Sequence, residues 1–357
     1  MKKKLKDICT QVRGVSYKPS DLRDENSGVP ILRANNIQDT GIVLDELVYV
    51  DSSKVHSEQY LLTDDIVICA SSGSKNLVGK AATFKSDLSA SFGAFCKVVR
   101  INNSDDLCKA YIQQYFQSKI YRNAISESSA GANINNIKTE DIEALEIPLP
   151  SKEEQIKIAA ELDTIQSAID NKKQQLALLD EAVKSEFVEM FGDPIYNSKN
   201  FPTKKVIDVV TMQRGYDLPV QDRDSKGKIP VFGSNGILGN HNLAKMDKGI
   251  ITGRSGTIGE VYMCETPFWP LNTTLFSNDT HGNNICYLKF LLEFFDLKRF
   301  KSGVGVPTLN RNEFHDEQII DVPLDLQNKF AAFVQQIDKS KFVVKQQIAH
   351  LAGTLGQ

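Results

Sequence analysis

Two glycine-bounded turns carry the side chains best suited to touching another molecule. Gly253-Arg254-Ser255-Gly256-Thr257 places an Arg between glycines, where a guanidinium can approach a guanine edge or a phosphate; a solvated turn charge is the competing reading. Gly73-Ser74-Lys75-Asn76-Leu77-Val78-Gly79-Lys80-Ala81 has the outline of a phosphate-binding loop. Five residues separate its glycines, however, and Ala81 stands where a Mg-binding hydroxyl belongs. A tight turn between strands accounts for it better, and such a turn still offers Ser72, Ser74 and Lys75 to a phosphate backbone. Asn pairs with an adenine edge, and it recurs in loops: Asn35 and Asn36 after Arg33, Asn235 after Ser234, then Asn133, Asn135 and Asn136, and Asn310 beside Arg311. Asn is also an ordinary turn residue, so recurrence at matching loops is what raises these positions. Arg13 and Arg214, each followed by Gly, complete the candidate contact set.

Groupings that perform chemistry are missing from this sequence. The five His (His56, His241, His281, His315, His350) are scattered, with no HExxH, and His281 with Cys286 has no second pair of ligands for a metal. There is no GxSxG elbow and no glycine fingerprint of a dinucleotide fold. The sequence therefore predicts a non-catalytic chain with no metal and no cofactor of its own.

The loops recur because the chain repeats. DICTQVRG (7–14) matches DVVTMQRG (208–215) at an offset of 201, and GVPILRANNI (28–37) faces GKIPVFGSNGI (227–237), setting Asn35 on Asn235 and Ile37 on Ile237. Short apolar strands flanked by Gly/Ser turns follow in both copies, then helical stretches, then SSAGANINN or SGVGVPTLNRN. In the second helical stretch, Leu288, Leu291, Leu292, Phe295 and Leu297 suit a buried face better than base stacking.

Each copy feeds a long helix. Ile158, Leu162, Ile165, Ile169, then polar Lys172, then Leu176, Leu179 and Val183 alternate steps of four and three, the seam of a coiled coil. From Ile158 to Val183 such a helix rises roughly 38 Å. Ser151 with Glu154 forms a capping box, and Phe191-Gly192-Asp193-Pro194 a stop. Adding 172 gives a second seam of Phe330, Val334, Ile337, polar Lys341, Val344, Ile348 and Leu351. Lys172 and Lys341 read either as random polar defects of the seam or, in an antiparallel pair, as positions that fix register. The expected organisation is a first domain at 1–150, a central helix at 151–192, a linker at 193–200, a second domain at 201–325 and a C-terminal helix at 326–355. The fold class is α/β, of mixed α+β type: two similar globular domains separated by two long antiparallel coiled-coil helices, with a pseudo-two-fold internal repeat.

Charge narrows the choice of partner. Residues 1–150 carry 18 Lys+Arg against 19 Asp+Glu, and 201–325 carry 14 against 15. Near-neutral domains argue against a non-specific DNA coat and leave specific readout open. Six well-separated Cys without a CxxC pair read as free thiols, and no apolar run reaches membrane-spanning length, so a cytoplasmic protein without membrane contact is expected.

Taken together, the repeat, the lead-in EIPLPSKEEQ, the Ile-Asp-bearing heptad helix ending in Phe-Gly-Asp-Pro, and the shorter VPLDLQNKFAAFVQQID resemble the specificity (S) subunit of type I restriction–modification systems. The second copy departs from the pattern, with Asp325 for the last Pro and no Glu before Gln327. The resemblance implies two target-recognition domains reading a split, asymmetric site in double-stranded DNA, with helices setting the distance between half-sites. It implies docking of two methyltransferase (M) subunits and, through the complex, restriction (R) subunits. S-adenosylmethionine, ATP and Mg would then belong to those partners. Two rival classes stand beside it: a non-catalytic coiled-coil scaffold that binds protein without DNA readout, and a self-contained nuclease or methyltransferase.

Overall fold

Lys2–Lys4 pairs antiparallel with Glu146–Pro148, and Thr203–Lys205 pairs the same way with Gln318–Ile320, so each globular unit is closed by its own two ends. A one-turn helix follows each first strand, Leu5–Ile8 or Val206–Val209, and its leading N–H reaches Leu145 O or Glu317 O at 2.8 and 2.9 Å. These partners preserve the sequence offsets of 201 and 172. The computed structural model describes all residues except 39–40, 75–76, 130–135, 304 and 356–357.

Each unit is built on a four-stranded antiparallel sheet. In the first its order is Cys9–Arg13, Cys96–Ile101, Ile66–Cys69, Ala81–Thr83; in the second it is Thr211–Arg214, Thr274–Asp279, Gly249–Gly253, Val261–Cys264. The central strand Ile66–Cys69 is buried on both faces, and its side chains alternate as a pleated strand requires. Ile66 and Ile68 join a cluster with Ile112, Phe116, Tyr121 and Ile125, whereas Val67 and Cys69 join Leu32, Phe84 and Phe92. The second face is covered by a smaller sheet, in which Ser91–Phe92 pairs parallel with Ile31–Leu32. Its counterpart pairs Trp269–Pro270 parallel with Val231–Phe232. Leu288, Leu291, Leu292, Phe295 and Leu297 are all buried, a core face as their spacing requires. The alignment of Ile37 with Ile237 does not survive: Ile37 is buried, while Ile237 is 62% exposed on the edge strand Gly236–His241.

The long helices run Lys152–Phe191 and Leu324–Leu355. Ser151 Oγ accepts from Glu154 N–H at 3.3 Å at the start of the first. At its end Gly192 adopts φ +71°, a left-handed cap suited to glycine, and its N–H bonds Val188 O at 2.8 Å. By contact density the chain forms two compact units, residues 1–171 with 348–357, and residues 172–347. Within the second unit the two helices run antiparallel. Phe187 and Phe191 meet the Phe330 ring at 5.5 Å, and eleven residues further along the C-terminal helix Lys341 Nζ meets Asp180 Oδ1 at 2.6 Å. The seam residues Ile169, Phe330, Val334 and Val344 are buried. Ile158, Leu162, Ile165, Leu176, Leu179, Ile337, Ile348 and Leu351 are half-buried. Lys341 is a true seam lysine, 17% exposed at its side chain and also 3.6 Å from Asp338 Oδ1, whereas Lys172 Nζ bonds its own helix at Gln175 Oε1, 3.3 Å away. Among the described residues no helix is long and apolar enough to cross a membrane.

Candidate nucleic-acid interface

Three strands of each central sheet end close together: Arg13 lies opposite Lys97 and Cys69 opposite Cys96 in the first unit, and Arg214 opposite Leu275 and Gly253 opposite Thr274 in the second. The loops that leave those strands are therefore neighbours. The Phe95 carbonyl accepts from Ala70 N–H and Ser71 N–H at 2.9 and 3.0 Å, Ile137 N–H donates to Ala70 O at 2.8 Å, and Ser71 bridges Asn136. The second unit repeats these bonds one for one. The Thr273 carbonyl accepts from Arg254 N–H and Ser255 N–H at 2.8 and 3.1 Å, Leu309 N–H donates to Arg254 O at 2.8 Å, and Ser255 bridges Thr308. The Arg-Gly repeat has its reason here. A Cβ on Gly14 would lie 2.1 Å from Gly93 O, and one on Gly215 2.2 Å from Leu271 O, so only glycine lets the strand end approach the turn.

In the first unit this edge gathers Arg13 and Asn136, both exposed, and half-buried Ser72, whose Oγ accepts from Ser74 N–H at 3.2 Å. Lys75, Asn133 and Asn135 lie outside the described residues. The bond from Gly93 N–H to Leu32 O at 2.9 Å brings the strand preceding Arg33 to the base of the same turn. Asn35 is exposed there. Asn36 is not a reader: it is 1% exposed, its Oδ1 accepts from Arg33 N–H at 2.8 Å, and its amide donates to Val43 O and Asp45 O at 2.9 and 2.8 Å. Its amide group holds the loop's shape and has no face left for a base. Arg33 is partly committed as well, with Nη2 on Glu46 O at 2.8 Å. Beside Arg13, Lys97 is held below the ordinary lysine range, first by burial and then by the Arg13 charge, and its Nζ donates to Thr139 Oγ1 at 2.7 Å.

In the second unit Arg214 ends its strand opposite Leu275, and Ser234, Ser255 and Thr257 lie at the Arg254 turn, whereas Asn235 lines a groove with Asp180, Lys184 and Lys341 of the long helices. Ser234 packs on the Arg254 turn, 3.2 Å from where a Cβ on Gly253 would stand. Arg254 is half-buried, its Nη1 donating to Asn272 O at 3.4 Å; the Asn272 amide donates to Asp217, whose carboxylate lies 3.9 Å from Arg214 Nη2. A polar chain thus links Arg214 to Arg254 through Asp217 and Asn272, two residues the sequence did not single out. Asn310 is exposed and its Oδ1 caps the helix Arg311–His315 by accepting from Asn312 N–H at 3.1 Å; the residue that matches Asn136 is Thr308. Arg311 sits half-buried in that helix's first turn, and its charge adds to burial in holding His315 below the ordinary imidazole range.

Two glutamines, unnoticed as functional from sequence, fasten each unit to its long helix. Gln155 is buried; its Oε1 accepts from Cys108 N–H at 2.9 Å and its amide donates to Asp106 O and Pro150 O at 3.0 Å. Gln327 is buried too, accepting from Asn284 N–H at 2.9 Å and donating to Asn283 Oδ1 and Val322 O at 2.7 and 2.8 Å. Both receive the N–H of the residue capping the unit's own helix, Lys109–Gln117 or Ile285–Phe294. The 172-residue offset between them was the available signal.

No arrangement for catalysis emerges among the described residues, which hold no cluster of three or more His, Cys, Asp or Glu placed for a metal. Thr211 Oγ1 lies 2.8 Å from His281 Nε2, but Asp279 Oδ2 is 3.9 Å from the ring's Nδ1 and the Thr211 hydroxyl bonds Ile207 O at 3.1 Å, so no activated nucleophile results. What the edges offer is donors, acceptors and charge on a fixed backbone, the chemistry of base and phosphate contact.

Twice-built mixed sheets with polar loops gathered at one strand end define a class, and the comparisons name it. The family model for the type I restriction modification DNA specificity domain matches residues 1–181 and again 198–351, and the chain belongs to that family. It is 40% identical over 179 residues to the type I restriction enzyme StySPI specificity subunit of Salmonella potsdam, and 39% identical over 181 residues to the EcoKI specificity subunit of Escherichia coli K12. Each alignment covers 50% of this chain and 38% of the relative. Two solved structures share the fold at 15% identity. The S subunit of a type I restriction–modification system from M. genitalium has a TM-score of 0.56 over 99% of this chain and 93% of that one. A structure described for the complex assembly and conformational transition of the type I R-M system has a TM-score of 0.59 over 100% and 95%.

Proposed function

We propose that this chain is the DNA-reading subunit of a type I restriction–modification complex. Each unit reads one half of a split target in double-stranded DNA through the loops at its strand ends. The two long helices set the spacing of the half-sites and dock two methyltransferase subunits, through which restriction subunits join. The chain itself is non-catalytic; S-adenosylmethionine, ATP and Mg serve the partners.

The observation that carries this reading is the bond-for-bond repeat of the two edges with different side chains on them. Ala70 stands where Arg254 does, Phe95 where Thr273 does and Asn136 where Thr308 does. One backbone frame with two sets of side chains is what reading two unlike half-sites demands, since base contacts and not the frame carry sequence. Near-neutral units fit a reader whose phosphate contacts are local.

The test is to assemble the chain with its methyltransferase partner, expose unmethylated DNA to the complex and map the methylated bases. A split motif with unlike halves and a fixed gap is expected. A continuous motif, a palindrome, or methylation with no motif would refute the proposal.

A further inference from the structure

Phe95 is 69% exposed, yet the turn that bears it is firmly bonded. Its carbonyl takes two N–H donors, Cys96 N–H returns to Gly93 O at 2.8 Å, and Ala94 N–H reaches Val15 O at 2.9 Å. A bonded backbone therefore holds a large apolar ring in water beside Ser71 and its bridge partner Asn136, both polar. In the second unit the same position is Thr273, half-buried. Phe95 has no hydrogen bond to offer a base. Of the groups that base pairs display in the major groove, the thymine 5-methyl is the apolar one.

We propose that Phe95 is a specificity-determining residue of the first unit, packing its ring on the 5-methyl group of a thymine in the first half-site. This rests on the DNA-reading assignment above. Serine and asparagine around the ring take the polar edges of neighbouring bases, so the first half-site is read partly by shape and partly by hydrogen bonds. The second, with Thr273 in that place and Arg254 beside it, is read by polar contact.

The test uses the full chain in complex with its methyltransferase partner. Once the motif is mapped, each thymine of the first half-site is replaced in turn by uracil, which removes only the methyl group. Replacement at one position is expected to lower methylation of that duplex roughly fourfold, the worth of one buried methyl. Phe95→Ala should lower the thymine duplex about as much and abolish the difference between thymine and uracil at that position alone. Phe95→Thr, which installs the second unit's residue, should abolish it as well. A first half-site without thymine overturns the proposal, as does a Phe95→Ala complex that still distinguishes thymine from uracil. So does an equal loss on every duplex, which would mark the ring as a wedge between base steps. If the wild-type complex yields no split motif, the failure lies with the DNA-reading assignment; if it yields one that both variants leave unchanged, the failure lies with Phe95 alone.

Discussion

The Arg254 backbone is held by the Thr273 carbonyl and the Leu309 N–H, and its Nη1 donates to Asn272 O at 3.4 Å. If it pairs bidentately with guanine, Arg254→Ala costs about 1–3 kcal/mol and relaxes one position of the second half-site. Competition binding with single-base variants of that half-site would read this; a uniform loss on all duplexes would make the arginine a phosphate contact instead. Asn36→Ala belongs to a different category. It removes three hydrogen bonds that shape the loop carrying Arg33 and Asn35 and should lower stability, whereas Asn35→Ala should leave stability unchanged and alter the mapped motif. Sequence could not separate these adjacent asparagines, because which one turns inward is set by the carbonyls of Val43 and Asp45, delivered by a later stretch of the loop. Phe95 was hidden for the opposite reason: a lone Phe between strands reads as core. His315 makes a pH prediction. Its Nε2 accepts from Met212 N–H at 3.1 Å, which requires an uncharged ring, and its pKa in the fold lies below the ordinary 6.5. As pH falls through 6.5 the unfolded chain takes up a proton that the fold resists, so the second unit loses stability on acidification. Melting between pH 7.5 and 5.5 should show a smaller drop for His315→Gln than for the wild type, and equal drops would refute it.

At the scale of elements, the long helices were the most legible part of the sequence. The seams of both, and the Ser151 cap and glycine stop of the first, are local signals, and a 40-residue helix repeats its pattern often enough to fix its type. The smaller sheets were not legible: Ser91–Phe92 and Trp269–Pro270 are two-residue strands held by parallel partners far away, too short for any period to show. The glutamine pins lay between these extremes, repeated at a constant offset but silent about what they bond. Gln155→Leu leaves the Cys108 N–H and two carbonyls without partners in a buried place, at about 1–3 kcal/mol for each unsatisfied group. Denaturant unfolding should then weaken the first unit selectively, and Gln327→Leu the second. A midpoint unchanged in both variants would show that neither pin holds its unit.

For the whole molecule, the repeat matters more than any single side chain. The two units share closing strands, turn glycines, edge bonds and glutamine pins, and differ in what projects from the frame. On the proposed function, such a design lets the side chains that read each half-site diverge without altering the frame that holds them. The seam heptads add a second quantity, length. Lys341 is tied to Asp180 across the pair at 2.6 Å, whereas Lys172 bonds only Gln175 of its own helix.

The proposal that the long helices set the gap between two half-sites is tested most directly by changing their length. One heptad, added to each long helix beside Asn171 and beside Gln347, keeps the seam on its face and lengthens each helix by roughly 10 Å. The methylated bases are then mapped with the same methyltransferase partner. The predicted result is that both half-site sequences survive, methylation at the original gap is lost, and a longer gap takes its place. Methylation that persists at the original gap, in a complex that folds and assembles as before, would contradict the account.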